Sequence, residues 1–144
     1  MDVIYWITSV KDDENADSRT LMEDLVGKRK MFALGHRTPG RTKWKSGDWV
    51  CFYAAGKGVV GYAMMTCSPF QLPQPLMRAR NQYTWAVKLD NINLHFDKPV
   101  VPSPDLRAKL DLFKGKSVFG NWAWFVQATR EVSKHDFDIL TGQP

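Results

Sequence analysis

Long hydrophobic runs and cysteines are both scarce in this chain of 144 residues, and each shortage excludes a class of protein. No apolar run approaches the roughly 18 residues that a transmembrane helix needs. The first residues lack the basic segment and cleavage site of a secretory signal. Two cysteines, Cys51 and Cys67, are too few for a disulfide-dense scaffold and are typical of small core residues in a reducing compartment. We therefore expect a cytoplasmic protein without membrane contact.

Short motifs of common catalytic chemistry are also missing. The sequence contains no GxSxG nucleophile motif, no GxxxxGKS/T phosphate loop and no HExxH metal motif. Its three histidines, His36, His95 and His135, lie far apart, and neither cysteine has a histidine beside it. A zinc site needs three or four ligands at close spacing. We expect no catalytic residues, no metal and no cofactor, with catalytic partners that are distant in sequence as the alternative.

Carboxylates are nearly absent from the middle of the chain. Residues 25–88 contain eleven Lys and Arg but a single acid, Asp48, whereas the segment before them is acidic and the segment after them is neutral. Seven of these cations fall within residues 28–45, together with the rings of Phe32 and Trp44. A stretch of this kind attracts a polyanion such as nucleic acid. The alternative is a solvated basic loop that has no partner.

The hydrophobic pattern predicts one domain over residues 1–144, built from strands and short helices. Runs rich in β-branched and aromatic residues predict strands at Val3–Thr8, Trp49–Tyr53, Val59–Cys67, Tyr83–Leu89, Ile92–Phe96 and Trp122–Arg130. Helices are predicted at Ser18–Val26, after Ser103 and from Ser133 to Leu140, the last two with serine as N-cap. Gly35, Pro39 and Gly40 predict a loop for the basic stretch.

Many strands in a short chain, mostly joined by hairpin-like turns, favour a curled mixed sheet. The predicted class is α+β: a mixed β-barrel of about five to six strands with two or three short helices packed around it. Asp48, which ends a turn before a strand, is expected to accept hydrogen bonds from backbone amides rather than act as a base. The six Trp, four Tyr and eight Phe can fill a small core and still line a cavity for a flat heterocycle.

Several segments resemble the EVE-domain proteins, a branch of the PUA-like superfamily related to YTH domains, and the chain is most similar to the small stand-alone EVE proteins of prokaryotes. Tyr5-Trp6-Ile7 is similar to the opening strand of the family. Met31–Leu34 lies where the family usually has Trp, a small residue and an aliphatic one before a basic loop. The remaining matches are Lys45–Tyr53, Val60–Phe70, Tyr83–Leu89 and Gln127–Phe137.

The resemblance implies a PUA-like barrel with a pocket that captures a single, often modified, nucleobase; related YTH domains read N6-methyladenine in RNA with an aromatic cage. By position, Phe32 and Phe70 would be its walls and Tyr53 its floor. The whole implied base pocket is Thr8, Ser9, Val10, Phe32, Ala33, Leu34, Tyr53 and Phe70. The implied phosphate-binding residues are His36, Arg37, Arg41 and Lys43. Phe32 replaces the usual Trp and therefore offers a smaller ring face and no indole N–H.

The sequence and the resemblance together predict a non-catalytic module whose partner is nucleic acid, bound through a single-stranded or flipped-out, often modified base. Cations would neutralise the backbone phosphates without reading sequence. Aromatic and apolar groups would then hold the extruded base. Two alternatives stay open: an RNA- or DNA-processing enzyme on the same barrel, and a regulatory protein-interaction module in which the basic charge is incidental.

Overall fold

Seven runs of apolar and β-branched residues form one sheet in the part of the chain that the structure describes. This computed structural model describes residues 3–10, 18–34, 40–73, 85–119, 122–126 and 129–142. The strands are β1 (Tyr5–Val10), β2 (Met31–Leu34), β3 (Trp49–Ala54), β4 (Gly58–Met65), β5 (Phe70–Gln71), β6 (Trp85–Leu94) and β7 (Arg130–Val132).

The strands are ordered β2-β6-β4-β3-β1-β7, and the short β5 pairs with β6. β1 and β3 run parallel, and the other pairings are antiparallel. The sheet curls strongly, because the ring centroid of Phe32 on β2 lies 5.1 Å from that of Phe52 on β3 although β6 and β4 separate the two strands. The predicted curled mixed sheet is therefore confirmed.

Short helices flank this sheet. They are α1 (Ser18–Met22), which continues into a π-helical turn (Glu23–Lys28), α2 (Gly40–Lys43), α3 (Pro104–Arg107), α4 (Lys134–Leu140) and two 3-10 turns (Asp111–Phe113 and Ala123–Phe125). The predicted serine caps are confirmed: the hydroxyl oxygens of Ser103 and Ser133 accept backbone N–H bonds from Leu106 and Asp136, at 3.3 and 3.1 Å. None of the described helices is long and apolar enough to cross a membrane.

One segment that the sequence predicted to be loop is a strand. β2 lies inside the basic stretch and pairs antiparallel with the first four residues of β6. Phe32 and Leu34 on β2 are both buried in the same core. Burial of these two side chains stabilises the strand, although four residues are too few to show a clear period-2 pattern among charged neighbours.

The predicted strands Tyr83–Leu89 and Ile92–Phe96 overlap one strand, β6, which runs from Trp85 to Leu94; the first two residues of the former prediction lie outside the described residues. The polar residues between them mark an irregularity and not a turn. Asn91 adopts a left-handed conformation (φ 49°), which asparagine tolerates better than most residues. The pairing of β6 with β4 shifts register in the same region.

The predicted strand Trp122–Arg130 is wrong. The chain forms a 3-10 turn at Ala123–Phe125, and β7 begins only at Arg130. The ring of Phe125 packs edge-on against Phe113, with centroids 5.2 Å apart. Aromatic packing across the chain therefore outweighs the local strand preference of this segment.

Alternation along the strands creates two hydrophobic cores. The inner core fills the curl of the sheet and includes Trp6, Val10, Met22, Phe32, Leu34, Trp44, Phe52, Val87 and Leu89. The outer core lies on the other face of β1 and β3, against the C-terminal helices, and includes Ile7, Cys51, Leu110, Phe113, Phe125, Phe137 and Leu140. Successive residues of β1 and β3 thus point into different cores.

Gly56, Gly58 and Gly61 have the spacing of a GxGxxG dinucleotide-binding motif, but they lie in and after the hairpin turn between β3 and β4. That motif requires a strand-to-helix turn, which brings a helix N-terminus to the pyrophosphate. Here a Cβ on Gly58 or Gly61 would lie 2.6 Å from the carbonyl oxygen of Val100 or Asn93, respectively. These two glycines therefore serve close packing of the backbone.

Asp48 is fully buried and joins the first strand to the turn before β3. Its carboxylate accepts hydrogen bonds from the backbone N–H of Ile4 at 3.2 Å, the indole N–H of Trp6 at 3.1 Å and the backbone N–H of Lys45 at 3.3 Å. The ammonium group of Lys45 forms an ion pair with the same carboxylate. The predicted structural role of Asp48 is confirmed.

We expect Asp48→Ala to lower the free energy of unfolding by about 3 kcal/mol, because it leaves buried N–H groups of Ile4 and Trp6 without an acceptor. Urea denaturation measures the change. Asp97→Ala is the matched control, since Asp97 pairs with Arg19 but its side chain is 85% exposed; we expect no measurable loss there. Equal losses in the two variants would contradict the anchoring role.

The two cysteines differ in accessibility. Cys51 lies in the outer core, where burial raises the pKa of its thiol, and Cys67 is half-buried. Since the thiolate is the reactive form, we expect iodoacetamide to alkylate Cys67 in the folded protein and Cys51 only after denaturation. Mass spectrometry of the modified peptides would measure this. Equal native labelling of both thiols is the result that contradicts it.

Candidate functional site

The predicted base-pocket residues Thr8, Val10, Phe32 and Leu34 lie together on the inner side of the sheet. The last three belong to the inner core. Thr8 is buried in register with Phe52, an inner-core residue, and its hydroxyl forms a 2.8 Å hydrogen bond with the hydroxyl of Thr129. These residues combine an apolar surface with one hydroxyl that can donate or accept.

Ser9 and Tyr53 point the other way. They are partners in the parallel β1–β3 pairing and therefore share a face, which is the opposite face from that of Thr8. Tyr53 packs against the outer core, where burial raises the pKa of its hydroxyl. The structure thus separates Ser9 and Tyr53 from Phe32.

Ala33 and Phe70 are separated from Phe32 as well. Both are in register with Ala86 of β6, one on each of its edges, so all three share a face of the sheet. Phe32 is in register with Val87, the next residue of β6, and so lies on the opposite face. Phe32 and Phe70 therefore do not form two walls of one cage in this structure.

Trp44, which directly follows α2, supplies a second ring beside Phe32. Its ring centroid lies 6.2 Å from that of Phe32 and 6.3 Å from that of Trp6, so it bridges β2 and β1. Trp44 is 2% exposed and Phe32 is 9% exposed. Sequence reasoning noted Trp44 only as a ring among cations. Nothing local shows that it turns inward, because its neighbours Lys43 and Lys45 are both charged.

The indole N–H of Trp44 is buried and has no hydrogen-bond partner among the described residues. The indole N–H of Trp6, in the same core, donates to Asp48. A buried donor without an acceptor costs about 1–3 kcal/mol. An indole donor, which Phe32 lacks, is therefore present on the neighbouring ring, and no described residue accepts its hydrogen bond.

The predicted phosphate-binding residues are only partly described. His36 and Arg37 lie outside the described residues, as does the side chain of Arg41, whose backbone belongs to α2. Lys43 is exposed at the end of α2, directly before Trp44. The structure therefore places one exposed cation of the predicted set next in sequence to the buried indole.

The structure also gathers Asp111, His135 and Asp136, which are distant or unremarkable in the sequence, with ligand-type atoms within 4.8 Å of one another. These groups already have protein partners. Both carboxylate oxygens of Asp136 accept backbone N–H bonds, from Asp111 and Leu112. His135 Nε2 faces the Lys109 carbonyl oxygen at 2.9 Å. The cluster therefore ties α4 to the 3-10 turn at Asp111–Phe113.

A hydrogen bond of Asp111 also connects its 3-10 turn to α4. Its carboxylate accepts a 2.9 Å bond from the hydroxyl of Ser133, the N-cap of α4, and this bond lowers the pKa of Asp111. Ser133 thus donates to one carboxylate and accepts one backbone N–H, because its oxygen also accepts the backbone N–H of Asp136. No catalytic arrangement arises from these contacts.

Because no described residue accepts the N–H of Trp44, we expect unequal effects of two matched substitutions. Trp6→Phe and Trp44→Phe remove the same atoms from the inner core. Only Trp6→Phe also removes a donor from Asp48, so we expect it to lower the free energy of unfolding by about 1–2 kcal/mol more than Trp44→Phe does. Denaturant titration of both variants without ligand would measure the difference. Equal losses would show that the Trp44 N–H is already bonded.

No known protein-family profile and no curated protein sequence matches this chain. Solved structures do match it. Human THYN1 in complex with DNA containing 5-methylcytosine has a TM-score of 0.55 at 14% identity, covering 96% of each chain. The Mmi1 YTH domain in complex with RNA has a TM-score of 0.60 at 14% identity, covering 93% of this chain and 73% of that one. Rpa0253 from Rhodopseudomonas palustris has a TM-score of 0.57 at 13% identity, covering 97% and 92%. The chain therefore shares the fold of these solved structures, and the predicted α+β class is confirmed.

Proposed function

We propose that this chain is a non-catalytic nucleic-acid-binding module, which holds one extruded nucleobase at the inner face of its sheet, beside Phe32 and Trp44. Two structures of the same fold contain nucleic acid: the Mmi1 YTH domain with RNA and human THYN1 with methylated DNA. At 14% identity the likeness carries the fold alone. The proposal therefore depends on the residues of this chain.

The single observation that carries the proposal is the buried indole N–H of Trp44, which has no described partner. Every nucleobase presents ring nitrogens or carbonyl oxygens that can accept such a bond. A base that stacks on an aromatic ring gains about 1–3 kcal/mol, and a good hydrogen bond adds about 1 kcal/mol. The Phe32–Trp44 pair offers both kinds of interaction at one point.

The base can enter only if the two rings part, since Phe32 and Trp44 are almost fully buried. The rings are tilted by 39° with centroids 6.2 Å apart, so no slot for a flat heterocycle lies between them in this structure. We therefore propose that binding requires the two rings to separate. Opening exposes apolar surface, and the bound base restores its burial.

Phosphates would lie beside this entrance. Lys43 is exposed and directly precedes Trp44 in the sequence. Arg41 lies two residues before Lys43. We propose that these two, with His36 and Arg37, neutralise the phosphates that flank the extruded base. Lys45 does not belong to this set, because it is paired with the buried carboxylate of Asp48.

Short single-stranded DNA and RNA oligonucleotides, unmodified or carrying N6-methyladenine or 5-methylcytosine, test the proposal. We expect the protein to bind the preferred modified oligonucleotide with an affinity that falls as salt rises. Trp44→Phe should weaken that binding about tenfold, since about 1.4 kcal/mol of hydrogen bonding is lost. The unmodified strand should be affected less. Fluorescence anisotropy at two salt concentrations measures all of these affinities.

Trp49→Phe is the matched control, because Trp49 packs against the outer core, beside Phe137. We expect it to leave both affinities unchanged. Equal effects of Trp44→Phe and Trp49→Phe would contradict the base site. Turnover of either oligonucleotide would favour the enzyme alternative, and absence of salt-dependent binding would favour a protein-interaction module.

A further inference from the structure

A concavity lies on the side of the sheet opposite to Phe32 and Trp44, where the chain enters β2 and leaves β4. It has a volume of about 340 Å³. The residues that line it are Arg29, Lys30, Met31, Thr66, Lys88, Leu89 and Asp90. None of these belongs to the predicted base pocket or to the predicted phosphate-binding set.

The fold of β6 determines which side chains reach this concavity. Val87 and Leu89 belong to the inner core, so Lys88 and Asp90, which alternate with them, point to the opposite face. Met31 is in register with Lys88 and shares that face. Phe32 is in register with Val87 and therefore lies on the other side of the sheet. The concavity and the proposed base site are thus separate.

The backbone holds both walls in place. Lys30 adopts a left-handed conformation (φ 56°) between the π-helical turn and β2, and its carbonyl oxygen accepts a 2.8 Å bond from the N–H of Leu89. On the opposite wall, the N–H of Thr66 donates to the carbonyl oxygen of Lys88 at 2.9 Å. These bonds place two lysines and a threonine around one space.

The charged groups of this concavity are mostly unpaired. Lys30 and Lys88 have no carboxylate within ion-pair distance among the described residues, and Asp90 is the single acid of the lining. Arg29 pairs with Asp24 at 3.5 Å, but both side chains are about half exposed, so the pair is weak. Three cations against one carboxylate leave the space positively charged.

A phosphate group matches this lining. It carries negative charge and several acceptor oxygens, and lysine, arginine and threonine supply the corresponding donors. The ring of Phe70 also lies beside the concavity, with the ammonium of Lys88 5.9 Å from its centroid. Phe70, which is on the wrong face to form a cage with Phe32, is therefore a neighbour of this second basic site.

We propose that the concavity of Arg29, Lys30, Thr66 and Lys88 binds a phosphate group. The group can come from a phosphodiester in a nucleic-acid strand or from free phosphate, and its recognition does not require the base site. A strand bound at Phe32 and Trp44 would gain a second anchor on the far side of the sheet.

NMR of the whole chain tests the site, with inorganic phosphate and a short unmodified single-stranded oligonucleotide as separate ligands. We expect both to shift the backbone amide signals of residues 29–31, 66 and 88–90. Lys88→Gln should abolish the phosphate shifts. It should also weaken oligonucleotide binding equally for modified and unmodified strands. The magnitude of the slope of log K against log salt should fall by about 1.

Lys98→Gln is the matched control, because Lys98 is exposed elsewhere on the surface. It should change none of these readouts.

Each outcome separates this site from the base site. Shifts with phosphate but none with the oligonucleotide would support a site for free phosphate and contradict the second anchor for a nucleic-acid strand. Shifts with the oligonucleotide that Lys88→Gln removes would support a phosphodiester site, even if free phosphate binds too weakly to detect. Unchanged signals with both ligands, or equal behaviour of Lys88→Gln and Lys98→Gln, would overturn the inference and leave the Trp44 result unaffected.

Discussion

The buried carboxylate of Asp48 links the parts of the structure on which the candidate site depends. It receives the indole N–H of Trp6 and two backbone N–H groups, from the residue before β1 and from the turn that precedes β3. A carboxylate in this setting is stable only with such partners, so it fixes their relative positions. Trp44 lies directly before that turn and packs on Trp6. The position of the Trp44 indole therefore follows from the anchoring of its neighbours.

Local signals predicted the fold well where the interaction itself was local. The helix caps Ser103 and Ser133 and the turn at Asp48 involve neighbours in sequence, and all three predictions were confirmed. The errors occurred where partners distant in sequence decide the outcome. β2 forms because β6 and the inner core bury it, and the segment from Trp122 to Phe125 follows aromatic packing against Phe113 instead of its strand preference.

The site residues show the same division. Alternation along β1 already places Thr8 and Ser9 on opposite faces of the sheet. The parallel pairing of β1 with β3 then places Phe52 on the face of Thr8 and Tyr53 on the face of Ser9. The pairing of β6 with both β2 and β5, which puts Phe70 on the opposite face from Phe32, requires the three-dimensional structure. The basic segment likewise divides in space: Lys45 neutralises a buried acid, whereas Lys30 joins Lys88 from the middle of another strand.

The position of β1 in the sheet has a consequence for how the chain folds. β1 lies between β3, which begins at Trp49, and β7, which ends at Val132. Its second edge therefore stays unpaired until Val132 has left the ribosome. Pairings between residues this far apart form slowly, because a long loop must close before any contact compensates the lost entropy. We expect the domain to complete its folding only after β7 has been synthesised, and the open edge of β1 is the surface on which nascent chains would associate with one another.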